Sequence, residues 1–68
     1  MNLKKLEPNL RDEVRSVFAP DMTGVVITKY LCSNGINEEL CIDVRLFNEK
    51  IYYGSPIRNW EVIKLNDE

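Results

Sequence analysis

Leu40-Cys-Ile-Asp-Val-Arg-Leu-Phe47, Asn48-Glu49, Lys50-Ile-Tyr-Tyr-Gly-Ser55 and Pro56-Ile-Arg-Asn-Trp-Glu-Val-Ile63 follow one another without interruption. The first block alternates. Leu40, Ile42, Val44 and Leu46 point one way, and Cys41, Asp43, Arg45 and Phe47 the other, which is the period of a half-buried strand. A tight turn at Asn48-Glu49 pairs Leu46 with Ile51, Val44 with Tyr53 and Arg45 with Tyr52, so that apolar partners share the inner face. Pro56 ends the third block because it cannot donate to a central ladder. After that corner, Trp60 to Leu65 reads as a last short strand.

Upstream, Val25 to Cys32 is rich in β-branched and aromatic residues and reads as another strand. It is followed by a turn signal at Ser33-Asn34-Gly35. Placing Cys32 opposite Cys41 puts Leu31 against Ile42 and Ile27 against Leu46 inside. Tyr30 then meets Asp43, and Thr28 meets Arg45, outside. Lys29 alone points inward against its chemistry and needs to snorkel out. In the N-terminal third, Leu10, Val14, Val17 and Phe18 recur at helical spacing. Pro8 suits a first helical turn, and Pro20 forces an end. The pattern predicts a helix over 8–18 and a sheet over 24–65. The expected fold class is therefore α+β: an N-terminal short helix followed by a small antiparallel β-meander that curls on itself. Strands 25–32 and 60–65 are apolar on both faces, which calls for curling or for cover by the helix.

Gly-Val-Val at 24–26, Val-Arg-Leu at 44–46 and Pro-Ile-Arg-Asn-Trp-Glu-Val-Ile at 56–63 carry a resemblance. In this order of strands, turns and corner they are similar to the SH3-like small β-barrels of SH3, Tudor and KOW modules. The Pro56 segment resembles the Pro-x-x-Asn-Tyr corner of SH3 domains. The SH3 Ala-Leu-Tyr-Asp-Tyr opening, the paired tryptophans and a Tudor aromatic cage are missing, so the resemblance implies a fold and transfers no ligand residues. An OB-like barrel and a helix-capped sheet are the alternatives.

With 68 residues the chain is read as one domain, 1–68. Domains of this size usually draw on a disulfide, a metal or an oligomer for stability. Apolar residues at 44% and charged ones at 29% exclude a disordered chain. The net charge of −2 lacks the clustered cations of a phosphate-backbone binder. No stretch reaches membrane-span length, and no apolar run follows Lys4 and Lys5 to make a signal peptide. These features point to a cytoplasmic chain. Cys32 and Cys41 do not make a secreted disulfide framework, and free thiols are the default there.

Catalytic patterns are missing. There is no histidine to act as a base or zinc ligand. The glycines at 24, 35 and 54 form no phosphate loop. Ser33 and Ser55 lack an activating base, and Glu38-Glu39 reads as a solvated loop. The expectation is a non-enzyme with no catalytic residue, no metal and no cofactor. The candidate partner-binding residues are Tyr30, Asp43, Arg45 and Tyr52 on the outer sheet face, with Arg58 at the corner. Aromatics beside an arginine are residue types favoured at protein-binding hot spots. The competing reading makes the same face the seat of the N-terminal helix, with Trp60 in the core. The leading functional expectation is a small interaction module for a protein partner, a regulator or inhibitor of a larger enzyme of the kind phage or mobile-element accessory proteins supply. A nucleic-acid-binding barrel using Tyr30, Tyr52, Trp60, Lys29, Arg45 and Arg58 is the alternative. A homo-oligomer subunit comes third.

Overall fold

The computed structural model describes residues 6–33 and 35–66. Asn34, at the centre of the expected turn, and the tail residues Asp67 and Glu68 lie outside them. Five strands form one antiparallel sheet: β1 (Glu13–Ser16), β2 (Thr23–Ser33), β3 (Glu38–Leu46), β4 (Ile51–Pro56) and β5 (Trp60–Lys64). A single 3-10 turn, Ile57–Asn59, separates the last two. The order across the sheet is β4-β3-β2-β1-β5.

The helix expected over 8–18 is not there. Residues 8–12 form an irregular turn and Glu13–Ser16 is a strand. Two patterns coexist in this segment. Leu10, Val14, Val17 and Phe18 fit a helical stripe, whereas Val14 and Ser16 alternate with Glu13 and Arg15. Val14 serves both, and it is fully buried; Leu10, Val17 and Phe18 are left exposed. An eleven-residue helix is marginal on its own, while β1 gains a ladder on each flank, to β2 and to β5. Asp12 decides the local geometry. Its carboxylate accepts the backbone N–H of Asn9 (3.0 Å) and of Asn66 (2.9 Å). Short acidic side chains that bond nearby backbone in this way compete with helix formation. Arg11 takes a left-handed φ of 70° to complete the turn.

The expected SH3-like barrel is also overturned. The sheet is open: among the described residues β4 pairs only with β3, and β5 only with β1. The two edges meet through side chains instead. The Tyr52 and Trp60 rings stand edge to face at 6.0 Å, and the Trp60 indole N–H donates to Ser55 Oγ at 2.8 Å. The apolar residues that seemed to demand closure are simply left at the surface: Ile27, Leu31 and Leu65 are all exposed. The core comprises Val14, Val26, Ile42, Val44, Leu46, Trp60 and Val62, flanked by half-buried Leu6, Met22 and Ile57.

Bulges explain why the expected registers fail. Ile27 is an extra residue between Val26, opposite Val44, and Thr28, opposite Asp43. Beyond it Tyr30 faces Cys41, and Cys32 faces Glu39. This shift of two residues keeps the expected faces of the distal half. Before the bulge the shift is three, so Val26 turns inward and Ile27 does not. A second irregularity sets Tyr53 and Gly54 against Asp43 alone, and Tyr52 therefore lies opposite Val44 rather than Arg45. Lys29 does lie beside buried Ile42, and its ammonium reaches Glu7 (2.5 Å) and Asn9 (2.7 Å).

At Gly24, β2 packs tightly against the β3 backbone. A Cβ there would stand 2.3 Å from the Arg45 carbonyl oxygen and 2.8 Å from Leu46 Cα. No side chain fits between two backbones that close.

Candidate functional site

β3 presents Glu39, Cys41, Asp43 and Arg45 on its outer side, and each belongs to a different small cluster. Asp43 sits at the bulge. Its Oδ1 accepts the Tyr30 phenol at 2.9 Å and the Gly54 backbone N–H at 2.8 Å. The register slip that sets two β4 residues against one leaves that N–H without a ladder partner, and the carboxylate takes it up. Gly54 adopts φ 62°, the left-handed region that glycine tolerates without strain. The hydrogen bond to Asp43, aided by partial burial and by the carboxylate's charge, pushes the Tyr30 phenol up to about 12. Tyr30 and Asp43 thus fix the bulge, and their polar atoms are already engaged.

Arg45 lies one step along the same side of β3. Its cross-strand neighbours are Val25 on β2 and Ile51 on β4. Val25 and Arg45, with Ile27, Leu46, Phe47 and Glu49, frame a shallow groove of about 360 Å³. The row Val25–Arg45–Ile51 runs straight to the free edge of β4. Phe47 is 62% exposed and Tyr53, on that edge, 71%. Apolar surface and a cation therefore adjoin a free strand edge. The edge itself, Ile51-Tyr-Tyr-Gly-Ser-Pro56, carries no charged residue. Its protection against pairing is limited to the proline at its end and the bulge at Tyr53-Gly54.

Arg58, on the 3-10 turn, grips both carboxylate oxygens of Glu39, which holds the guanidinium firmly protonated. Cys41 is buried and Cys32, across from Glu39 on β2, is half-buried; both are free thiols.

Of the expected site residues, the structure brings Tyr30, Asp43 and Arg45 to one face of β2 and β3. Arg58 is at a different corner, tied to Glu39. Tyr52 is on the opposite side, edge to face with Trp60. That correction follows from the one-residue slip at the β4 bulge, because such a slip reverses the face of a strand residue. Sequence reasoning missed Ile27 and Ile51. A run of three β-branched residues, Val25-Val26-Ile27, did carry a signal. An alternating strand can bury only some of such a run, so the remainder has to lie on the outer face or in a bulge.

The cations invoked for phosphate contacts are largely taken. Lys29 bonds Glu7, and Arg58 bonds Glu39. Arg15 bonds Glu61, its partner across the β1–β5 ladder, at 2.6 Å. Among the described residues no group of three or more metal-ligating side chains is assembled, and no helix is long and apolar enough to cross a membrane. Comparison with protein-family models, with curated proteins and with solved structures finds no match, so function is argued from this geometry alone.

Proposed function

We propose that this chain is a small, non-catalytic protein-interaction module that takes an extended segment of a partner protein along the free edge of β4. The observation that carries the reading is the uncharged edge strand Ile51–Pro56, exposed from Ile51 to Gly54 and continuous with the Val25–Arg45–Ile51 row. Strand addition draws its affinity from main-chain hydrogen bonds and its specificity from alternate side chains. One such side chain of the incoming strand would extend the row beyond Ile51, where apolar contact and Arg45 favour an apolar residue with an acidic neighbour. A regulator or inhibitor of a larger enzyme can work by this kind of capture.

Selection from a random peptide display library, followed by amide hydrogen exchange on the complex, tests the reading. The expected outcome is selected peptides of apolar–acidic character that slow exchange in residues 51–54. Arg45→Glu should then invert the charge preference. Peptides that leave β4 exchange unchanged would remove the edge as the site. Salt-sensitive binding of single-stranded oligonucleotides, with no peptide selected, would replace this reading with nucleic-acid recognition.

A further inference from the structure

We propose that the seam between the β1–β2 connection and β4 is an anchor pocket for one tyrosine side chain of the partner segment, an inference that rests on strand addition at β4. The pocket holds about 210 Å³. That is below the roughly 300–1,000 Å³ of a small-molecule site and suits a single side chain. Phe18, Met22, Tyr52 and Trp60 supply apolar walls, Ser55 and Asn59 polar ones, and no charged residue lines it. A charged side chain would lose its hydration there without meeting a counter-charge.

Phe18 is the observation that points to a ligand. It is 78% exposed, yet its segment is firmly held. The buried Ser16 hydroxyl accepts the backbone N–H of Phe18 and of Ala19, both at 3.2 Å. The Val17 N–H donates to the Asn59 carbonyl at 2.9 Å, and the Met22 N–H to the Ala19 carbonyl at 2.8 Å. An aromatic side chain is thus carried on a tied turn beside a pocket instead of being packed in the core. Such pre-organisation lowers the entropy lost on binding. On the β4 side Tyr52 and Trp60 stand edge to face, an arrangement that a further aromatic ring extends. Trp60 is almost fully buried, so it shows little open ring face to a cation. Its indole N–H is taken by Ser55. Among the described residues the Tyr52 hydroxyl and the Asn59 side-chain amide make no hydrogen bond, which leaves them for the tip of an aromatic ligand.

That combination selects tyrosine, a ring with a donor and acceptor at its end. Strand addition brings it there. Tyr52 lies opposite buried Val44 and shares its face, and successive residues of an added strand alternate between faces. The residue placed beside Tyr52 therefore turns toward the pocket, while the one beside Ile51 stays on the outer row.

Para-cresol, the tyrosine side chain without its backbone, is titrated into the isotope-labelled chain and followed by two-dimensional NMR. Saturable shifts are expected at the Trp60 indole N–H, the Phe18 and Ala19 amides and the Asn59 side chain. Phe18→Ala, checked for native signal dispersion, should weaken this binding about tenfold. An indole N–H that stays silent up to the solubility limit of the probe would overturn the proposal, as would full affinity in Phe18→Ala or larger shifts from tetramethylammonium. Peptides that lose no affinity when their tyrosine becomes alanine, while still slowing exchange in residues 51–54, would overturn it too and leave strand addition standing. Para-cresol binding beside peptides that leave β4 exchange unchanged would support the aromatic pocket and remove strand addition.

Discussion

The two edges of the sheet are built on opposite terms. β5 is short, its Trp60 and Val62 are buried, and its exposed side is occupied by the Arg15–Glu61 pair and Lys64. β4 carries no charge, buries only Ser55 and leaves Ile51, Tyr52, Tyr53 and Gly54 exposed. One edge is an integral part of the core, and the other is an accessible row of backbone groups. Under the proposed function, stability and recognition are segregated between these two edges. The β1–β5 side holds buried core residues, and the β4 side leaves the backbone edge on which the proposed strand addition rests. Substitutions on the two sides should therefore separate cleanly.

The sharpest break is Trp60→Ala. It removes the largest core side chain, its edge contact with Tyr52 and the bond to Ser55. A loss of about 3–5 kcal/mol is expected, enough to unfold a domain of this size, whose total stability is of that order. Loss of the cooperative denaturant transition is the readout. Gly24→Ala tests the strand crossing that both sides share. A methyl at 2.3 Å from the Arg45 carbonyl must push β2 and β3 apart, which costs about 1–3 kcal/mol or more and should lower the denaturant midpoint.

Asp12→Ala comes next. It strands the Asn9 and Asn66 N–H groups beside a carboxylate site that is only 3% exposed. The expected cost is about 2 kcal/mol, and the β1–β5 amides should lose hydrogen-exchange protection before those of β3 and β4 do. A smaller effect lies on the other side of the molecule. Tyr30 holds its proton to about pH 12 when folded but ionises near 10 when unfolded. Its contribution is complete below pH 10. Between 10 and 12 the native chain retains a proton the unfolded chain has given up, so stability falls as pH rises through that window. A phenolic titration step near pH 12 should be present in the wild type and vanish in Tyr30→Phe. The smallest effect on stability belongs to Tyr53→Lys on the β4 edge, within about 0.5 kcal/mol of wild type, while strand addition there should be abolished. A Tyr53→Lys chain that is markedly unstable would erase the contrast between the edges.

Much of the sheet was legible in the sequence. The alternation of β3 buries Ile42, Val44 and Leu46 as expected, and Val25–Cys32, Trp60–Leu65 and the Pro56 corner fall close to β2, β5 and the 3-10 turn. β1 was not legible, because four residues of alternation are hidden inside a stripe that also satisfies a helix, and its partner β5 is far away in sequence. The registers failed because Ile27 and Tyr53-Gly54 break the count, and nothing local announces a bulge whose freed N–H is taken up by a carboxylate on the neighbouring strand. For the candidate site, the outer-face placement of Tyr30, Asp43 and Arg45 was readable from parity alone. Tyr52 was lost to the same bulge. Barrel closure was inferred from apolar residues on both faces, but Ile27, Leu31 and Leu65 do not need cover to be tolerated at a surface.

The strand order also has a consequence for how the molecule assembles. β2, β3 and β4 are consecutive and joined by hairpins, so they form from contacts close in sequence. β1 lies between β2 and β5, and its second ladder, Val14 to Val62 and Ser16 to Trp60, joins opposite ends of the chain. Loop closure of that length makes β1–β5 the slow step. Until it closes, the β2–β4 meander has its core face bare and its uncharged edge available. The strand proposed to take a partner is thus ready before the domain that carries it is complete.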